Sequence, residues 1–563
     1  MQTDIYHAIS TAVSALGVPE AKFVVDYPTD AHTTADYFTN AALVLAKPLK
    51  VAPRVAAEQL VAALPEQIPG VGQIEIAGPG FINFYLTRET FTTALATART
   101  AGEAWGRNDG WAGKTVLVEY TDPNPFKEFH VGHLFTNAVG ESIARLFMMN
   151  GATTKRVNYQ GDVGLHVAHA LWGMQQLGIT ADSTFTAHDL GRCYAHGATA
   201  YKAGDPAVVA EIRAINALVY SRTDDAINAI YDAGRTVSLA YFETIYAVLD
   251  TKFDAYFFES ETGPAGKALV LAHSELFPES DGARVFRGEE YGLHTRVFLN
   301  QEGLPTYEAK ELALAKQKEE QLGVYDHSIV STANEINEYF KVLLCAMSMV
   351  YPDLAAKTEH IGHGTVRLST GKMSSRTGDV IPALSFIDEV AAAALQKMSE
   401  TGVTQPNMAL ARDIAIGAIK YATLRGSITQ NSVFDKDQAL SFEGDSGPYL
   451  QYTHARICSV LEKAAKVGVR PDTTIAPPNA YAVEKLLARF PSVIEAALAE
   501  RAPHQVAQYL TALAGAFNSF YATEKIADPT DPHAPYKAAV ADAVRLTLKN
   551  GLWVLGIKAP SRM

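Results

Sequence analysis

Lys114-Thr-Val-Leu-Val-Glu119-Tyr120-Thr-Asp122-Pro-Asn124-Pro-Phe-Lys-Glu-Phe-His130-Val-Gly-His133 is the stretch that decides the fold of this chain. Its first seven residues, Lys114 to Tyr120, read as a strand rich in β-branched side chains. The prolines and asparagine after Asp122 break regular structure and mark a loop. From about Val131 to Met149 the spacing predicts a helix. Strand, loop and helix N-terminus in that order direct backbone N–H groups and a positive dipole end to one place, which suits a phosphate. His130 and His133 are three residues apart, so both imidazoles can point at the same anion. Gly132 carries no side chain, so a flat base or ribose has room against the turn. A His-x-Gly-His string alone also fits a helix cap with surface histidines; the preceding strand favours the nucleotide reading.

Working outward, Lys155-Arg-Val-Asn-Tyr159 is a second strand, which makes residues 111 to about 180 a βαβ unit and implies a parallel sheet. Gly161-Asp-Val-Gly164 then turns at the carboxyl edge, where ligands of open α/β sheets bind. Residues 181 to 265 are alanine-rich and helical and read as an insertion. Sheet-like patterns return near Val285–Leu299 and at His327–Ser331, with helices at about Glu335–Val350 and Phe386–Ser399. An α/β domain over 111–390, with its insertion at about 181–300, follows. Before it, 1–110 reads as a small separate α/β unit: helical periodicity at Ile5–Leu16, strands at Gln73–Ala77 and Phe81–Leu86, and turn chemistry at Gly78-Pro79-Gly80. After it, a connecting helical segment (391–430) leads to an all-α bundle over 431–563, with apolar-periodic segments near Tyr449–Val467, Ala480–Leu498, Val506–Ala522 and Pro535–Leu555.

Composition bounds what such a chain can be. At 563 residues it exceeds a single core, and 48% hydrophobic with 19% charged residues is ordinary for a globular protein. Cys193, Cys345 and Cys458 are far apart, so no zinc knuckle or disulfide framework is expected, and three buried thiols in a reducing cytoplasm are. No apolar window reaches a bilayer span and no secretory leader is visible, so the expected location is cytoplasmic, with no membrane partner. The net charge of −13 argues against nonspecific nucleic-acid binding but leaves local basic faces open. His166 and His169 lie together after the Gly161 turn, but with no third ligand evident, packing or a polar surface is the reading and no metal site is expected.

A second string, Gly371-Lys372-Met373-Ser374-Ser375-Arg376-Thr377-Gly378, flanks two hydroxyls with two cations. Such a loop can close over a triphosphate and stabilise a departing pyrophosphate, although alone it also fits a solvated surface loop. Together, in order and in their wide separation, the two strings resemble the HIGH and KMSKS signatures of class I aminoacyl-tRNA synthetases. Glu119-Tyr-Thr-Asp-Pro-Asn124-Pro, Asn158-Tyr-Gln-Gly-Asp162-Val-Gly and Pro305-Thr-Tyr307-Glu-Ala-Lys-Glu311 resemble arginyl-tRNA synthetases. So do Gly447-Pro-Tyr-Leu-Gln-Tyr-Thr-His-Ala-Arg456 and the ending Leu555-Gly-Ile-Lys-Ala-Pro-Ser-Arg-Met563. The likeness covers essentially the full length.

The resemblance implies a Rossmann-type parallel-sheet domain between an N-terminal domain that touches the tRNA elbow and a C-terminal anticodon-binding bundle. It implies an arginine–tRNA ligase that uses ATP with magnesium as the counterion of the substrate, L-arginine and tRNA(Arg); a monomer is the family's habit. His130, His133 and Lys372 would act on the phosphates. Pro123, Asn124, Pro125, Gly132, Met373, Ser374 and Arg376 would complete the ATP site; whether Lys372 or Arg376 carries the leaving-group charge is open. Glu119 and Asn124 match positions that hold the polar groups of arginine, and Tyr307 and Glu311 match positions that line its guanidinium end. A guanidinium, planar and always charged, is well matched by carboxylates. The family more often has aspartate where Glu311 stands, and a salt bridge to a neighbouring lysine is the other reading of Glu311. Asn334 matches a position near the amino acid, or else caps the helix after it. Tyr449, Tyr452 and Arg456 begin the bundle with chemistry suited to unstacked bases, or with core packing at helical spacing. Lys47, Lys50 and Arg54 form a basic stretch for phosphate contacts.

Overall fold

The computed structural model describes residues 1–28, 33–369, 381–400 and 407–563. They fall into two compact units, each described here by itself. The first comprises Met1–Gly106, Arg456–Val493 and Ala512–Asn550; the second comprises Arg107–Ala455, Ile494–Thr511 and Gly551–Met563.

In the first unit Val71–Ala77 and Phe81–Leu86 form a hairpin within a four-stranded antiparallel sheet. Gly78 and Gly80 turn it with φ of 52° and 151°, values that favour glycine. Ile5, Ile9, Ala12 and Val13, on one stripe of helix Gln2–Ala15, are buried in its core. The sequence reading separates 1–110 from the bundle, whereas the compact unit holds Met1–Gly106 together with bundle helices. The ties are long-range polar contacts that periodicity does not reveal. Arg88 donates to Glu484 (2.9 Å) and to the Tyr536 hydroxyl (2.7 Å), and Trp105 donates to Thr547 (3.0 Å).

The second unit is built on five parallel strands, β1 (Thr115–Glu119), β2 (Thr153–Gln160), β3 (Ala255–Phe258), β4 (His327–Ala333) and β5 (Thr358–His363), in the spatial order β3-β2-β1-β4-β5. From β1 the chain winds one way through β2 and β3, then returns to the other side for β4 and β5. The direction reverses between β1 and β4, and a crevice opens at their carboxyl ends. Helix α1 (Val131–Met149) makes the first crossover with the bounds the periodicity predicts. It packs so closely that a Cβ on Gly140 would lie 2.2 Å from the Tyr120 side chain. Arg145 on α1 donates to the carbonyls of Asp250 and Trp553, each at 2.8 Å, and to Glu141 at 2.7 Å.

Between β2 and β3 lie four helices, Leu165–Gln176, Ala187–Ala203, Pro206–Ser221 and Asp225–Leu249. The expected helical insertion is thus present, but β3 falls inside the stretch assigned to it: Ala-Tyr-Phe-Phe is too short to show alternation. The sheet pattern near Val285–Leu299 belongs to a separate three-stranded antiparallel sheet. Further helices are α2 (Glu259–Ala272), α3 (Tyr307–Leu322) and α4 (Asn337–Val350). The C-terminal helices are Gly447–Lys466, Ala482–Leu487, Phe490–Ala499, Pro503–Thr523 and Ala534–Val554; the expected single segment at Ala480–Leu498 is two helices. Among the described residues no helix is long and apolar enough to cross a membrane. Cys193 is buried, Cys345 and Cys458 are half-buried, and none of the three is in a disulfide.

Candidate active site

The loop between β1 and α1 is held in uncommon backbone geometry. Thr121, Asp122 and Phe126 have φ of 78°, 41° and 68°, the left-handed region that non-glycine residues avoid. The surroundings over-determine the loop. Asp122 accepts from the Tyr159 amide (2.8 Å), the Phe126 amide donates to Ser238 (2.9 Å), and Phe126 and Phe129 are fully buried. Pro123 and Pro125 are buried beside them, and the Asn124 side chain lies against Gly161, where a Cβ would sit 2.4 Å from its Oδ1. Strain of this kind clusters at functional sites.

At the loop's end the two imidazoles stack, centroids 3.8 Å apart and planes 19° apart. The Gly132 amide donates to Nδ1 of His130 (3.1 Å), and the His130 amide donates to Nδ1 of His133 (3.2 Å). A ring nitrogen that accepts is unprotonated, so in the neutral ring the proton sits on Nε2. Burial, then the Lys127 charge, lowers the pKa of His130 to about 4, and burial, then His130, puts His133 well below its ordinary value. Both rings are therefore neutral Nε2–H donors near pH 7. The amides expected to be open to a phosphate are already used: Val131 N donates to Ile381 (3.2 Å), Gly132 N to His130 Nδ1 and His133 N to His130 O (2.9 Å). Phosphate oxygens would meet imidazole N–H groups and the helix dipole instead. Gly132 also has a nearer reason than a bound base, because a Cβ there would lie 2.9 Å from the His130 ring.

Lys372, Met373, Ser374 and Arg376 lie outside the described residues. The chain that follows them is anchored at the histidines: Ile381 accepts from Val131, and Ala383 donates to Phe129 (2.8 Å).

At the crevice between β1 and β4 a cavity of about 710 Å³ opens, a volume suited to a small molecule. Six carboxylic acids line it, Glu119, Asp122, Glu259, Glu308, Glu311 and Glu335, against Lys310 and Arg296. Glu119 ends β1, 1% exposed, with Oε2 2.6 Å from Nζ of Lys318. Glu259 opens α2 and pairs with Lys310 at 2.6 Å. Tyr307 and Glu311, four apart on α3, both face the cavity as the spacing predicts. Burial, then the Glu119 charge, raises Glu311 to about 8 and pushes Asp122 up as well. The salt bridge expected as the other reading of Glu311 goes elsewhere, because Lys310 is taken by Glu259.

Asn334 begins a 3-10 turn, Asn334–Ile336, and the cavity wall there is made by Thr332, Glu335 and Ile336. His166 Nε2 contacts the Gly161 carbonyl at 2.8 Å, and His169 lies against the Tyr201 ring, 5.0 Å between centroids. Lys47, Lys50 and Arg54 are exposed. Tyr449 and Tyr452 are half-buried on helix Gly447–Lys466, and Arg456 donates to Asn518 (2.8 Å). Sequence reasoning missed Glu259, Lys310 and Lys318. Lys318 stands seven residues, two helical turns, after Glu311 and Lys310 three residues after Tyr307, which were usable signals; nothing local pointed to Glu259.

A parallel sheet reversing direction beside a twin-histidine helix is the arrangement of a class I aminoacyl-tRNA synthetase, and residues 98–436 match the family described as tRNA synthetases class I (R), catalytic domain. Residues 1–86 match the arginyl tRNA synthetase N terminal domain and residues 450–563 the DALR anticodon binding domain. The chain belongs to the arginyl-tRNA synthetase family. It is 30% identical to the arginine–tRNA ligase of Clostridium beijerinckii over 541 residues, 92% of each chain, and 30% identical over 538 residues, again 92% of each, to that of Clostridioides difficile. The arginyl-tRNA synthetase structure of Thermus thermophilus matches all of both chains with a TM-score of 0.81 at 27% identity. That of Plasmodium falciparum, at 20% identity and a TM-score of 0.80, shares the fold.

Proposed function

We propose that this chain is an arginine–tRNA ligase: it activates L-arginine with ATP to arginyl-adenylate and transfers it to the 3′-terminal adenosine of tRNA(Arg). The observation that carries the reading is the acid-lined cavity at the β1–β4 crevice, joined by a single strained loop to the stacked histidines. A multi-donor cation belongs in the first and a triphosphate beside the second.

The arginine carboxylate attacks the α-phosphate and pyrophosphate leaves. His130 and His133 donate Nε2–H to phosphate oxygens, and Lys372 with Arg376 meets the pyrophosphate. Pro123, Asn124, Pro125 and Gly132 shape the nucleotide side, with Met373 and Ser374 from the loop. Glu119, Asn124, Tyr307 and Glu311 hold arginine, with Asn334 near its amino-acid end. Magnesium enters with ATP as the counterion of that substrate. The terminal ribose hydroxyl of tRNA then attacks the activated carbonyl, the ester forms as the bond to phosphate breaks, and AMP leaves with the hydroxyl proton passing to solvent. Tyr449, Tyr452 and Arg456 belong to the anticodon-reading surface, and Lys47, Lys50 and Arg54 meet tRNA phosphates; binding falls steeply with salt as counterions are displaced. We place the enzyme in the cytoplasm as a monomer.

ATP–pyrophosphate exchange, with and without tRNA, tests the reading. Exchange driven by arginine but not by lysine, glutamine or cysteine is expected; exchange indifferent to arginine overturns it.

A further inference from the structure

Both lysines that α3 sends into the acid cluster are committed to acids other than their neighbour on the helix. Lys310 Nζ is 2.6 Å from Glu259, and Lys318 Nζ is 2.6 Å from Glu119. All four residues are at most 5% exposed. Glu311 stands between these pairs, 8% exposed and facing the cavity, with no hydrogen bond and no ion pair within 4 Å among the described residues. A carboxylate buried with neither cation nor donor is costly, and it takes up a proton instead.

The surroundings reinforce this. Glu119 from β1, Asp122 from the loop, Glu259 from α2 and Glu308 on α3 all oppose a negative charge at Glu311. Lys318 favours it, but from within its own pair with Glu119. Tyr159, Tyr307 and Tyr339, which complete the wall, are all pushed above their ordinary range and stay neutral. The cluster thus pairs Glu119 and Glu259 with lysines and holds Asp122 by the Tyr159 amide, while Glu311 faces the cavity with neither a cation nor a donor of its own among the described residues.

Resting on the arginine reading, we propose that the guanidinium enters in exchange for the proton of Glu311, so that substrate uptake releases a proton to solvent. The carboxyl O–H bond breaks, the proton passes to water, and the carboxylate left behind pairs with the incoming cation. Burial and the Glu119 charge, which hold Glu311 at about 8, support a protonated resting state. His130 and His133, neutral near pH 7, have no proton of this kind to release.

Calorimetric titration of the full chain with L-arginine near pH 7, in phosphate and in Tris, reads the exchange through the difference in buffer ionisation heat. About 0.9 proton released per arginine is expected for a group titrating near 8. Glu311→Asp keeps the release, Asp122→Asn keeps it, and Glu311→Gln abolishes it. Infrared spectra of the unliganded proteins give a readout that needs no binding: the protonated-carboxyl band lost on raising pH through 8 is present in the natural chain and missing in Glu311→Gln. Binding heat that ignores the buffer, release that persists in Glu311→Gln, or a band unchanged by that substitution overturns the proposal while leaving arginine as the substrate. No heat with arginine in any variant overturns the arginine reading itself.

Discussion

His130 and His133 lie ring on ring, 3.8 Å apart, and each turns Nδ1 into the backbone at the start of α1. The pair therefore offers a ligand its two remaining N–H donors rather than positive charge.

His133→Ala removes one such donor at the position where charge develops. A fall in kcat for pyrophosphate exchange of about 10²- to 10³-fold is expected, typical for loss of one preorganised donor, with the KM for arginine nearly unchanged. Equal losses in both parameters would assign the ring a packing role.

Neutral buried histidines also make the fold acid-sensitive. His130, His169 and His360 titrate at about 4 and His166 at about 3, each chiefly through burial. In the unfolded chain all bind protons near 6.5. The stability these neutral rings contribute is therefore fully present above pH 6.5 and lost as pH falls toward 4, His130 alone accounting for up to about 3 kcal/mol, while the raised Glu311 carboxyl works in the opposite sense between its ordinary value and about 8. Urea midpoints across this window check it: His166→Asn should lower the slope relative to the natural chain, and a slope unchanged by that substitution contradicts the prediction.

Glu119→Gln should raise the KM for arginine at least about tenfold and leave that for ATP unchanged. It also strands Lys318 in the interior, which costs about 3–5 kcal/mol. Adding Lys318→Met should restore much of the thermal stability without restoring arginine affinity. Recovery of both together would make the Glu119 pair purely structural.

Gly140→Ala tests how firmly the sheet seats the histidine helix. The new methyl would meet Tyr120 at 2.2 Å, so α1 must move away from β1. A loss of about 1–3 kcal/mol is expected from overpacking, with reduced kcat as the imidazoles shift. Thermal denaturation and exchange kinetics read both; an unchanged Tm would show that the helix adjusts freely.

Much of this arrangement was legible in the chain. Local periodicity gave α1 its bounds, and the spacing of Tyr307 and Glu311 put both in the cavity. Contacts made across long separations were not legible. Lys318 meets Glu119 from nearly two hundred residues away, and β3 has four residues, too few for a pattern. Nor did the motif show that the first amides of α1 are already engaged, because that depends on how the imidazoles fold back. The string at Lys372 lies outside the described residues, so only its sequence speaks for it.

The left-handed turns at Thr121, Asp122 and Phe126 are an investment made when the chain folds. Because Asp122 and Phe126 are tied to the Tyr159 amide and to Ser238 by the protein's own hydrogen bonds, the loop between the acid chamber and the imidazoles takes its shape from the fold and not from a ligand. If arginine and ATP bind as proposed, this loop sets the spacing between them.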